Sequence, residues 1–320
     1  MNINKPGVVL ITTLLIVMVM SVISIQISKK FFISVQREAY IDFKNQSYQM
    51  LLSAESQAIK SIQKEIIVLQ EKLINQDLTM NNSFFSLNEI VKIQVGIEDG
   101  SNCFNLNSIF RNSNNTFKIN KSNLEWLNRL LKLKGLNDVE TKSFVDQLID
   151  WVDVDSQPLN FGAEDYFYIG PLSSTKQFTP KRLLKNLSEI RNFPIMESLR
   201  YKDFSQNLCA IPGSTKQSIN INTLNSNHVV LIAALFDEKN LEFVESQIID
   251  APEMGYDSIE IFASRFAQSQ KSILNVLAVN SRKLIVTTRV FNESFSNELK
   301  SLVILDSSNF ATILNRDFSF

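Results

Sequence analysis

Between Ile149 and Tyr168 the chain reads IDWVDVDSQPLNFGAEDYFY. Asp153, Asp155, Gln157 and Glu164 stand at positions 1, 3, 5 and 12 of a twelve-residue frame, the side-chain oxygen spacing of an EF-hand calcium loop. Position 6 of that frame is normally glycine. Here it is Pro158, whose φ is fixed near −65°, so the chain cannot copy the EF-hand turn. With Asp165, four carboxylates fall within thirteen residues. Packed together they repel strongly unless they are solvated or neutralised by a hard cation. An oxygen-only donor set favours calcium over zinc or copper. A solvated acidic loop is the other reading of the same residues. Asp250, Glu253, Asp257 and Glu260 form a second, weaker acidic stretch for another ion.

Other chemistry is scarce. One histidine and two cysteines cannot build a Cys/His zinc site with four protein ligands. No G-x-S-x-G marks a nucleophile beside His228, which reads as a structural residue in the first turn of a helix after Asn225. Eight glycines include no dinucleotide or phosphate-loop pattern. A net charge of −1 leaves no electrostatic footprint for nucleic acid.

The elements that must carry these residues begin with an apolar run. Val8 to Ser28 holds no charged residue and ends at Lys29-Lys30, long enough to span a bilayer as a helix. No glycine lies between Gly7 and Gly96, and no proline between Pro6 and Pro158. With the strongest helix breakers missing, the helix is expected to continue. Leu51, Ala54, Ala58, Ile62, Ile66, Leu69 and Leu73 recur at spacings of three and four, one face of an amphipathic helix. The pattern fades near residues 75–82.

Ile93–Ile97, Leu284–Phe291 and Leu302–Leu305 read as strands, with a last one inside Phe310–Phe320. Between them lie helical patterns: Leu124 to Leu131, Phe144 to Trp151, Pro180 to Phe193, Ser226 to Phe236, Leu241 to Ile249 and Ile259 to Phe266. No fixed-period repeat is clear. Strands, then helices, then strands predict an α+β fold. Its long N-terminal helix packs on a small antiparallel sheet and a large all-α, SAM-like insertion follows. The expected division is 1–7 leader, 8–28 membrane segment, 29–80 amphipathic continuation, 84–112 with 280–320 as the β region, and 113–279 as the helical insertion. Cys103 and Cys209 lie on the exported side of the span. An even count in an oxidising compartment favours a disulfide, the alternative being two buried thiols.

A polar leader ending in glycine, MNINKPG, followed by an apolar helix running without a break into an amphipathic one, resembles the class III signal of pilins and pseudopilins. Further blocks follow in order: CFNLN at Cys103–Asn107, the acidic segment at Ile149–Tyr168, LSEIRNFP at Leu187–Pro194 and ININTL at Ile219–Leu224. Together they resemble the K-type minor pseudopilins of type II secretion. The resemblance implies a non-enzymatic subunit of the periplasmic pseudopilus tip, single-pass in the inner membrane. It implies cleavage between Gly7 and Val8 by a prepilin peptidase, with methylation of the new N-terminus. It also implies I-type and J-type minor pseudopilins and the inner-membrane platform as partners, and calcium, one or two ions, in the helical insertion. Assembly is expected along the Leu51–Leu73 stripe by helix–helix packing. Pro6 and Val8 depart from the usual basic residue and phenylalanine. The fifth residue after cleavage is Thr12, where most pilins carry glutamate; its loss is a feature of the K type. A carboxylate at bilayer depth costs about 2.5–3.5 kcal/mol without a partner, and a subunit with none ahead of it has no amine to meet. A permanently anchored bitopic periplasmic calcium-binding receptor or adaptor is the alternative, and it keeps an uncut N-terminus.

Overall fold

A computed structural model describes residues 6–69, 83–86, 91–113, 116–171, 176–267, 271–306 and 310–319, with backbone alone for 6–8, 65–69, 83–86, 112, 113, 116, 271 and 272. Leader residues 1–5 and Leu73 lie outside the described residues.

Helix α1 runs from Pro6 to Leu69, about 95 Å at 1.5 Å per residue. From Val9 to Val35 its large apolar side chains are exposed. Among the described residues it is the one helix long and apolar enough to cross a membrane. Its hydroxyls return to the helix backbone: Thr12 Oγ1 donates to Val9 O at 2.9 Å, Thr13 Oγ1 to Leu10 O at 2.9 Å and Ser21 Oγ to Val17 O at 2.8 Å. Hydroxyls satisfied in this way carry little cost in lipid.

Strands β1 (Ser83–Ser86) and β2 (Lys92–Asp99) precede a helical unit. That unit holds the short strands β3 (Phe104–Asn105), β4 (Phe110–Ser113), β5 (Thr116–Ile119), β6 (Leu208–Cys209), β7 (Ile219–Asn220) and β8 (Leu277–Ala278). Strands β9 (Lys283–Phe291), β10 (Ser296–Leu305) and β11 (Ala311–Ser319) follow. The main sheet is antiparallel in the order β1-β2-β9-β10-β11. Alternation sends Ile93, Val95 and Ile97 of β2, Leu284, Val286 and Val290 of β9, and Leu299, Val303 and Leu305 of β10 to one face. Phe43, Leu51, Ala54, Ala58, Ile59 and Ile62 of α1 cover that face.

The assembly stripe is therefore corrected. Leu51, Ala54, Ala58 and Ile62 are buried against the chain's own sheet. A helix face spent on an internal core is not available as a seam to another subunit. Ile66 and Leu69 continue α1, with only their backbone described. Within the buried stripe sits Glu55, 1% exposed, which receives Ser301 Oγ and the Arg316 guanidinium. Asn297 Nδ2 likewise donates to Ser47 Oγ. These polar ties fix the register of helix on sheet.

The helical unit begins earlier than the sequence division places it. Phe104, Leu106, Ile109 and Phe110 enter its core with Trp126, Leu130, Phe144 and Trp151, not that of the sheet. The unit leaves the sheet at Gly100, whose N–H bonds to Lys283 O at 2.8 Å. It is not purely helical, because β3 pairs in parallel with β6 and β7 with β8.

The blocks CFNLN and ININTL do the same work twice. Asn107 Nδ2 donates to Leu184 O and Ile211 O while its Oδ1 accepts from Leu184 N. Asn222 Nδ2 donates to Tyr256 O and Val279 O while its Oδ1 accepts from Tyr256 N. Asn105 and Asn220 each accept from the N–H two residues on. The Asn107 and Asn222 amides thereby each bond three backbone groups, which suits a satisfied interior. This arrangement is a structural repeat that no regular spacing announces. A helix over Pro180–Phe193 does not form. Lys181 takes φ +47° and only Leu187–Asn192 winds, as a 3-10 turn.

Candidate metal centre

Helix α2 (Lys121–Leu133) packs under α3 (Asp138–Val152). Asn137 starts α3 with a reciprocal cap: Glu140 N–H to Asn137 Oδ1 and Asn137 N–H to Glu140 Oε2, both at 2.9 Å. Asp153 ends it. Glu164 precedes the short helix α4 (Asp165–Tyr168), and Trp151 meets Tyr168 edge to face at 5.1 Å beneath the loop.

Oxygens of Asp153, Asp155 and Glu164 lie within 4.8 Å of one another, the one such convergence of acidic, histidine or cysteine ligands among the described residues. Asp155 is exposed, but Glu164 is 1% exposed. Neither oxygen of Glu164 has a hydrogen-bond partner, nor does Asp153 Oδ1. Buried carboxylate oxygens normally find partners. Asp153 also sits at the negative end of α3, where a carboxylate is disfavoured and a cation favoured. Burial, and then the charges of Asp155, Asp150 and Glu164, push Asp153 up to about 7. Burial also raises Glu164, tempered by Lys181. Two carboxylates left short of donors, with the exposed carboxylate of Asp155 beside them, fit a hard, oxygen-seeking cation.

Two sequence candidates stand apart. Asp165 Oδ1 accepts from Thr179 N at 2.6 Å and Thr179 Oγ1 at 2.7 Å. Burial opposes the effect, but these bonds bring its pKa down. It is an anchor for the segment at Thr179, which corrects its place in the ligand set. Gln157 is exposed and gives its backbone N–H to Asp155 Oδ1 at 2.8 Å.

The sequence reading missed Asp150, which is fully buried. Its carboxylate accepts from Leu159 N at 3.3 and 3.2 Å. Burial raises it to about 6, against that backbone bond and with help from Asp146 and Asp155. Gly162 passes so close that a Cβ there would lie 1.9 Å from Asp150 Oδ2, so a side chain at that point would push the carboxylate aside. Tyr168, also buried, leaves its hydroxyl without a partner, and burial with the Asp150 and Glu164 charges raises its pKa. The only signal for Asp150 in the sequence is its place one turn before Asp153, which caps the same helix.

His228 lines no site. Its Nδ1 accepts from Asn225 N at 3.0 Å, and burial lowers its pKa against the pull of Asp99. Glu260 is taken by Ser258. Cys103 and Cys209 are joined in a disulfide. Gly7 and Val8 lie in the first turns of α1, where only the backbone is described.

Residues 102–213 match the family model of type II secretion system protein K. Type II secretion system protein K of Klebsiella pneumoniae is 28% identical over 322 residues, 99% of this chain and 97% of its own length. The Pseudomonas aeruginosa protein of the same description is 29% identical over 209 residues, covering 64% of this chain and 59% of its own. A chain in the crystal structure of the GspK-GspI-GspJ complex from the enterotoxigenic Escherichia coli type 2 secretion system has the same fold. The TM-score is 0.72 and the identity 22%, over 87% of this chain and 98% of that one. The resemblance to the K-type minor pseudopilins of type II secretion is borne out by the family model and by a relative that aligns nearly end to end, with the fold in agreement.

Proposed function

We propose that the chain is a non-enzymatic minor pseudopilin that works at the tip of the type II secretion pseudopilus, with I-type and J-type partners, and helps to start its assembly. The observation that carries this reading is α1. Its first half is a bare apolar rod and its second half is sealed into a head, the division of labour that a membrane-stored filament subunit needs. Thr12 supports the tip position. Its hydroxyl is satisfied within the helix, so it makes no demand on a neighbouring amine. The relative of known structure is described in complex with GspI and GspJ, which supports the same two partners here. The bulk of the chain lies in the periplasm on this reading.

Cleavage tests the class. Mass spectrometry of the membrane-extracted chain, made with and without a prepilin peptidase, should find a chain starting at Val8, methylated, only with the peptidase. Retention of Met1 in both cultures favours the permanently anchored receptor instead.

Calcium held by Asp153, Asp155 and Glu164 belongs to the same proposal. The ion supplies positive charge to a loop that otherwise gathers unmatched carboxylates. Its removal has a signed pH dependence. In the ion-free chain Asp153 and Asp150 have pKa values raised from 3.8 to about 7 and about 6. Their favourable contribution is thus complete below about pH 4 and is lost as pH rises through 6–7. The thermal midpoint gained on adding calcium to chelator-treated protein should be larger at pH 7.5 than at pH 5.5. A gain of zero at pH 7.5 rules calcium out.

A further inference from the structure

Lys181 lies between two fixed points. Thr179 is bound to Asp165 through both its N–H and its hydroxyl. Arg182 Nη1 is bound to Glu189 at 3.2 Å and to Leu183 O at 2.8 Å, and Glu189 also receives Trp151 Nε1 at 3.1 Å. Between these anchors Lys181 adopts φ +47°, a left-handed conformation that costs a residue with a Cβ about 1 kcal/mol or more. That backbone turn brings its ammonium across to the acidic loop, where Nζ donates to Val154 O at 3.3 Å, Asp155 O at 2.8 Å and Ser156 Oγ at 2.8 Å. The same three-residue stretch presents Asp155, next to Asp153. The Lys181 charge reaches Asp153 and Glu164.

We infer that Lys181 is a resident counter-cation of this site: its ammonium clamps the loop when no metal is bound and opposes an arriving divalent cation, so that it sets the affinity of the site. The inference rests on the calcium reading above. An ammonium is a compact point charge on a flexible stem, able to hold carbonyls that would otherwise lack donors and to swing outward when a stronger charge arrives. A site with its own weak cation stays folded without metal and loads only when metal is plentiful.

Calorimetric titration of calcium chloride into the detergent-solubilised full chain tests this, with wild type, Lys181→Met and Lys181→Arg compared. Lys181→Met should bind calcium about tenfold more tightly, the order expected from removing a unit charge a few ångströms from a divalent ion in a solvated site. Lys181→Arg, which keeps the charge, should stay within about threefold of wild type. In chelator, hydrogen exchange of peptides covering residues 153–165 should be faster in Lys181→Met. Equal or weaker binding by Lys181→Met, with wild type binding normally, overturns the inference and leaves the calcium reading standing. Unchanged exchange in chelator also overturns it. Absence of binding by wild type and Lys181→Met alike overturns the calcium reading and the inference together.

Discussion

Replacing Cys103 and Cys209 together with serine should destabilise the helical unit by about 4–5 kcal/mol, the chain-entropy value for a loop of this length. The bridge joins residues 106 apart in sequence and ties the residue before β3 to β6, its parallel neighbour. It therefore closes more than half of the unit. The readout is selective. The two tryptophans, Trp126 and Trp151, are buried in this unit and not in the sheet. Denaturant unfolding followed by tryptophan fluorescence reports the unit alone, and its midpoint should fall steeply in the double variant. A change below about 1 kcal/mol would mean that the unfolded loop keeps enough structure to need no covalent closure.

Arg316→Met should be the costliest change in the sheet, at about 3–5 kcal/mol, because it leaves a buried carboxylate uncompensated. Arg316 Nη2 lies 2.7 Å from Glu55 Oε2, and Nε lies 3.0 and 3.1 Å from the two oxygens. The pair is lopsided: the Glu55 side chain is 1% exposed and that of Arg316 is 42% exposed. An orphaned Arg316 can turn to water, whereas an orphaned Glu55 cannot. Glu55→Gln should thus cost clearly less than Arg316→Met, and Glu55→Gln combined with Arg316→Met less than Arg316→Met alone. Thermal unfolding by circular dichroism orders the three variants. Equal costs for the two single changes would show that Glu55 reaches water once Arg316 is gone.

Local features of the sequence were the readable ones. The missing glycines and prolines announce α1. Alternating apolar residues mark β2, a β-branched run marks β9, and Leu302–Leu305 marks the second half of β10. The acidic spacing points to Asp153, Asp155 and Glu164, which the fold brings together. What could not be read locally depends on contacts distant in sequence. Nothing in Leu51, Ala54 and Ala58 says whether the opposite face belongs to another subunit or to strands more than 200 residues away. Phe104 and Ile109 continue a strand-like stretch, yet they drain into the second core because β3 pairs with a strand beyond residue 200. Asp165 and Asp150 look interchangeable as carboxylates. Thr179 claims one, while burial and the close pass of Gly162 pull the other in.

The Gly100–Lys283 bond has a topological consequence. It continues the ladder of β2 on β9, where Asp99 already faces Leu284. Residues 101–282 are thus, from the sheet's side, the turn of a β-hairpin. Closing a disordered turn of that size costs entropy that grows with the logarithm of its length. A folded unit that leaves and returns at bonded neighbours removes most of that cost, since its own packing brings the ends together. The sheet can then tolerate a graft far larger than itself, and the graft can be enlarged, duplicated or given an ion site without a shift in the register of any strand beneath it.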